Sequence, residues 1–238
     1  MTVSRPSTPA IFKLSSEQRL VIEHRGGHLQ IIACAGSGKT ESISRRIAAL
    51  VSEGAEPASI IAFTFTERAA AELKDRVAQR VAERMGAAFL DRLGPMFVGT
   101  IHGYCFRLLQ DQVPHFGSYD VLDEHRHAGL LSREYRNLAL SKLGLKHWSP
   151  IRDFIRAVAV IGNELIDPTA LDDTPIGQCY RAYRDMLDRY HFLTFSLLIS
   201  HAVQVLQDPR IFEQVHRPLR YLFVDEYQDI NPAQERLI

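Results

Sequence analysis

A chain of 238 residues that is 46% hydrophobic can bury a substantial core, which fits one large domain or one domain with a sizeable insertion. Lys plus Arg (28) equal Asp plus Glu (28), so net charge excludes a bulk polycation and leaves any contact with a polyanion to local patches. Cys34, Cys105 and Cys179 are odd in number and form no CxxC pair, which argues against a disulfide framework and for a reducing, intracellular compartment.

The opening "MTVSRPSTPA" is rich in Pro, Ser and Thr without periodicity and reads as a tail over residues 1–11, with order expected from about Phe12. In "LSSEQRLVIEH", Ser15 or Ser16 can cap a short helix carrying Leu20, Val21 and His24. "LQIIACAGSGKTESISRRIAALVSEG" then runs from a β-branched burst through glycines into a pattern with Ile43, Ile47 and Leu50 on one face. It predicts a strand, a loop and a helix. "SIIAFTFTERAAAELKDRVAQRVAERMG" repeats the theme, with a strand over Ile60 to Phe65 and a long helix turning Ala69, Leu73, Val77 and Val81 inward. "MFVGTIHGYCFRLLQDQ" does so a third time, and "YLFVDEYQDI" supplies a further strand. Apolar strands alternating with helices predict an α/β protein whose parallel sheet is covered by helices on both faces.

Between about Phe116 and Arg217 the pattern turns helical, in "HAGLLSREYRNLALSKLG", "IRDFIRAVAVIG", "CYRAYRDMLDRY" and "FSLLISHAVQVL", broken by prolines. The expected organisation is an α/β domain over 12–115 and 217–238, with an inserted all-helical subdomain over 116–216. No segment of membrane-spanning length lacks charge, so no membrane partner is expected.

"ACAGSGKT", Ala33 to Thr40, follows GxxxxGK[ST] except for Ala at the first glycine position. Ala35, Gly36, Ser37 and Gly38 would turn the backbone so that N–H groups and a helix N-terminus face a phosphate. Lys39 would reach the β and γ phosphates and the Thr40 hydroxyl would ligate Mg²⁺. In "FVDEYQD", Asp225 stands at a strand end where it could hold the same Mg²⁺ and Glu226 could polarise an attacking water. The two motifs are expected to face each other across adjacent strands. Their long separation in sequence requires an insertion, which a compact nucleoside kinase would not need.

With "LSSEQRLVIEH", "ACAGSGKT", "AFTFTERAAAELKDRV", "VGTIHGYCFRLL" and "VDEYQDINPAQ" in that order, the chain resembles the UvrD/Rep family of superfamily 1 DNA helicases from Leu14 to Gln234. The resemblance implies a P-loop NTPase (RecA-like) first motor domain with a helical insertion. It implies that Gln18 reads adenine, that Gln228 senses the γ-phosphate, and that Thr64, Phe65, Thr66, Thr100 and His102 line a track for single-stranded or tailed DNA. A ring that stacks a base and groups that touch phosphates would serve there without reading sequence. Read from residues alone, Phe65 is equally a core ring at a strand end, and His102 equally a histidine bonded at a helix start. The chain departs from the family at Glu67-Arg68, where Asn-Lys is frequent, at Glu41, where a basic residue is frequent, and at Thr194 before Phe195, where Asp is frequent. These differences bear on DNA affinity and on the finer nucleotide contacts.

Two further features have competing readings. In "DEHRH", His125 and His127 are two residues apart, so on a helix they point apart, which favours a polar helix start over a metal site. Arg126, Arg133, Arg136, Lys142 and Lys146 could touch duplex phosphates or form a solvated face. The leading expectation is an ATP- and Mg²⁺-binding helicase or translocase motor that needs a second motor domain for efficient hydrolysis. The alternative is a nucleotide-gated binding module that recruits DNA or protein without translocating.

Overall fold

The computed structural model describes residues 14–34, 36–143 and 150–238. The expected tail, the start of order at Phe12, loop residue Ala35 and Lys146 lie outside them. In chain order the elements are α1 (Ser16–Glu23), α2 (Lys39–Ser52), β1 (Ile60–Thr64), α3 (Glu67–Met85), β2 (Phe97–Thr100), α4 (Ile101–Gln112), β3 (Asp120–Val121) and α5 (Glu124–Arg133). They continue with α6 (Pro150–Asn163), α7 (Pro175–Arg189), β4 (Phe192–Leu193), α8 (Phe195–Val205), α9 (Pro209–His216), β5 (Tyr221–Val224) and α10 (Pro232–Leu237). The chain divides into two compact units, Met1–Ile60 with Ala71–Met96, and Ile61–Ala70 with Phe97–Ile238.

The first unit packs α1 on α2. Ser15 caps α1 in a capping box, its hydroxyl accepting from the Gln18 N–H while the Gln18 side chain accepts from the Ser15 N–H. At the other end of α1 the last carbonyls lack intrahelical donors, and the Arg46 guanidinium donates to those of Val21 (2.7 Å) and His24 (2.5 Å). The expected apolar face of α2, Ile43, Ile47 and Leu50, is buried, and so are Leu73, Val77 and Val81 of α3. Glu41 is buried as well, held by Arg45 of its own helix and by Arg80 of α3.

The second unit holds a three-stranded sheet of order β2-β1-β5. β1 and β2 run parallel, Ile61 opposite Phe97 through to Thr64 opposite Thr100. All five residues of β1 are buried, as a strand covered on both faces requires. Alternate residues Ile61 and Phe63 join a core with Ile101, Cys105 and Leu109 of α4, Phe154 and Val158 of α6, Tyr183 and Leu187 of α7, and Leu197 and Leu198 of α8. The arrangement is an α/β fold with a parallel sheet flanked by helices.

Two expectations are corrected. Leu29–Cys34 forms no strand, and Ile32 within it is 90% exposed. A β-branched burst gives propensity, but a strand exists only when a neighbour takes its N–H and C=O groups. The helix expected to run on from His127 through Leu143 ends at Arg133. Turns follow, with Ala139 at φ 52, and then a single 3-10 turn over Leu140–Leu143. The carboxylate of Glu134 is engaged there by the Asn137 amide and the Tyr190 hydroxyl, contacts that a continued helix would not need.

Candidate functional site

In the first unit the loop before α2 turns through two left-handed glycines, Gly36 (φ 76) and Gly38 (φ 89). No L-residue with a side chain adopts such angles readily, and a Cβ on Gly36 would meet open space, so the requirement there is conformational rather than steric. Gly38 is the N-cap of α2, which makes Lys39 and Thr40 its first two residues. A helix start leaves its first N–H groups without intrahelical acceptors and carries partial positive charge, so this loop presents donors, an ammonium and a hydroxyl together. Ser37 is tied down twice, its N–H donating to the Cys34 carbonyl (3.2 Å) and its carbonyl accepting from Gln18 Nε2 (2.9 Å). Gln18 therefore serves both the α1 cap and the loop, which fixes its amide orientation.

One residue past Thr40, Glu41 faces three arginines: Arg45 Nε at 2.5 Å, Arg80 at 2.8 Å and Arg76 at 3.9 Å. Burial alone would raise its pKa, but the hydrogen bonds from Arg45 and Arg80 outweigh that and hold it below the ordinary carboxylate range. The Glu41–Arg45 pair is readable as an i,i+4 spacing on α2, whereas Arg80 is 39 positions away and no local pattern brings it in.

In the second unit the acidic turn begins where β5 ends. The Asp225 N–H donates to the Phe63 carbonyl at 2.9 Å, so its backbone is fixed beside β1. The next residue, Glu226, sits at φ 51, a left-handed conformation that costs a non-glycine residue about 1–3 kcal/mol and gathers at functional positions. Its N–H donates to Asp225 Oδ1 (3.1 Å), and Gln228 Nε2 donates to its carboxylate (2.6 Å). The structure thus brings Asp225, Glu226 and Gln228 into one hydrogen-bonded turn.

The strand-end residues of the same unit divide by exposure. Phe65 and Thr66 are exposed, whereas Thr64 and Thr100 are buried. The Thr64 hydroxyl donates to the Thr66 carbonyl, and the Thr66 hydroxyl accepts from the Ala69 N–H at the start of α3. Thr100 is the N-cap of α4, accepting from the Gly103 N–H (3.0 Å) and donating to Glu67 Oε1 (2.8 Å). The half-buried His102 ring meets the exposed ring of Phe195 edge-on, with centroids 4.9 Å apart. Burial lowers the His102 pKa, partly offset by the Glu67 charge. Sequence reasoning marks Glu67 only as a departure from the family pattern and assigns Phe195 no role, because their partners Thr100 and His102 are distant in sequence. Elsewhere, His127 of "DEHRH" is buried in α5 with Nε2 2.8 Å from the Tyr183 hydroxyl, while Asp123 caps that helix.

A parallel α/β protein with a glycine-turned phosphate loop and an acidic turn beyond a strand is the class these features define. Within that class, the chain belongs to the UvrD/REP helicase N-terminal domain family, whose model matches residues 14–238. It is 37% identical over 252 residues to the ATP-dependent DNA helicase UvrD1 of Mycobacterium tuberculosis, covering 98% of this chain and 31% of the relative. The UvrD1 of Mycobacterium leprae is 35% identical over 244 residues, 94% of this chain and 30% of its own length. The ATP-dependent DNA helicase PcrA of Staphylococcus aureus is 30% identical over 237 residues, with 94% and 31% covered. The chain thus spans about a third of the length of these relatives. Among the described residues, no helix is long and apolar enough to cross a membrane.

Proposed function

We propose that this chain is the ATP-binding first motor domain of a DNA helicase or translocase, with residues 116–216 as its helical insertion. The observation that carries the reading is the pair of left-handed glycines at the start of α2, with Lys39 and Thr40 as the first helical residues. Each motif by itself offers groups that suit a magnesium nucleotide. Residues 36–40 offer backbone N–H groups, a helix N-terminus, an ammonium and a hydroxyl, and Asp225 and Glu226 offer carboxylates. Gln18, already oriented by Ser15 and Ser37, would read the adenine. Thr40 and Asp225 would hold Mg²⁺, and bound MgATP supplies the phosphoryl group whose transfer to water drives the motor.

In this mechanism Lys39 and the N–H groups at the start of α2 stabilise negative charge on the phosphates. Glu226 orients and polarises the attacking water, and Gln228, bonded to Glu226, relays the state of the nucleotide to the rest of the acidic turn. Lys39 is the one cation the phosphate loop itself places. Phosphoryl transfer in such motors needs further cations where charge develops, which we assign to arginines of a second motor domain. Residues 1–238 alone should then bind ATP and hydrolyse it slowly. Turnover measured with and without single-stranded DNA tests this, and brisk DNA-stimulated turnover by these residues would refute the need for a second domain.

For the nucleic acid, Phe65 and the ring pair His102–Phe195 provide faces and edges suited to unpaired bases. Exposure of Phe65 favours a stacking role over core packing. Phe65→Ala should weaken binding of a single-stranded oligonucleotide by about 1–3 kcal/mol while leaving the melting temperature nearly unchanged. A large loss of stability would restore the core reading.

A further inference from the structure

On the strand-end surface, Glu67 carries a charge that is wrong for a polyanion. Glu67 is exposed, opens α3 directly after the exposed Phe65 and Thr66, and accepts the Thr100 hydroxyl at 2.8 Å. The buried Thr100 gives its single hydroxyl proton to that carboxylate and accepts from the Gly103 N–H, which holds Glu67 at the start of α3. The half-buried His102 favours its neutral form, because burial disfavours the cation more than Glu67 favours it. Arg68, the next residue, points about 100° away around the helix. A phosphate approaching Phe65 and Thr66 therefore meets a carboxylate that is fixed in place by a hydrogen bond.

We infer that Glu67 is a specificity-determining residue that keeps single-strand affinity low at this surface through its own negative charge, held in place by the Thr100 hydroxyl. The inference rests on the nucleic-acid reading of that surface. A motor that must release each nucleotide as it steps gains from a contact that does not grip. A repulsive charge supplies that without removing the aromatic rings that position the bases.

The test is a comparison of the full chain with Glu67→Gln and with the control Glu213→Gln, using a fluorescent polythymidine oligonucleotide at low and high salt. Glutamine keeps an acceptor for Thr100, so the fold should stand, and equal melting temperatures would establish it. The expected result is about three- to tenfold tighter binding by Glu67→Gln at low salt, as for one like charge removed a few ångströms from a phosphate. That gain should shrink at high salt, and Glu213→Gln should leave affinity unchanged. Binding by the parent chain that Glu67→Gln leaves equal or weaker, or an equal gain from Glu213→Gln, overturns this inference alone. Binding by none of the three overturns the nucleic-acid reading and this inference with it.

Discussion

In the unit that carries the phosphate loop, α2 is joined to α3 through charge, with the buried Glu41 taking Arg45 and Arg80 at 2.5 and 2.8 Å. In the unit that carries the acidic turn, a buried polar contact within the aromatic core is neutral. The Tyr183 hydroxyl meets His127 Nε2 at 2.8 Å, beside Phe154 packed edge-on against Tyr183. The ion cluster needs its carboxylate ionised, whereas the aromatic core needs its imidazole uncharged, and burial pushes His127 down to about 4. One molecule therefore contains two kinds of interior that should fail under different conditions.

The largest expected effect is on the neutral side. Phe154 is fully buried, so Phe154→Ala should remove about 3–5 kcal/mol, seen as a large drop in the denaturant midpoint. A loss under about 1 kcal/mol would mean that this core is loosely packed.

Acid should separate the two interiors. With a folded pKa near 4 and an unfolded one near 6.5, His127 takes up its proton in the unfolded state first. Its contribution is complete above about pH 6.5 and falls progressively to about pH 4, by about 3 kcal/mol in all. His201, also pushed down to about 4 by burial and then by the neighbouring Arg184, adds loss in the same window. Glu41 behaves oppositely in range: its lowered pKa gives stability that is present above the ordinary glutamate value and is lost only as pH falls through the folded value. Denaturation curves between pH 7 and 4 should therefore flatten in His127→Gln and keep their slope in Glu41→Gln.

A smaller effect is expected from Glu41→Gln at neutral pH. It leaves Arg80 and Arg45 without their shared anion, but both guanidiniums retain some solvent, so the loss should be about 1–3 kcal/mol. The difference from the parent should narrow as salt is raised. Smallest is Ser15→Ala, which removes one half of the α1 capping box and should cost about 1 kcal/mol by chemical denaturation.

These contrasts show what was legible in the sequence. Signals written within a few residues came through: a serine cap, Ser15 of the two candidates, the inward face of Leu73, Val77 and Val81 with Ala69 only half-buried, a helix after the glycine loop, and the strands Phe97–Thr100 and Tyr221–Val224. What failed or stayed hidden depends on distant partners. Leu29–Cys34 has strand composition but no strand, and Glu41 looks like a surface glutamate until Arg80 is brought to it. The carboxylate of Glu67 gains meaning only from Thr100, 33 residues on.

The central claim is that the glycine-turned loop before α2 holds the phosphates of ATP through Lys39. Equilibrium binding of a fluorescent ATP analogue with Mg²⁺ to the parent chain and to Lys39→Ala tests it most directly, with melting curves to show that both are folded. Saturable binding by the parent and at least about tenfold weaker binding by Lys39→Ala, as for one lost charge-assisted contact, is the expected result. Equal affinities in two folded proteins would contradict the claim.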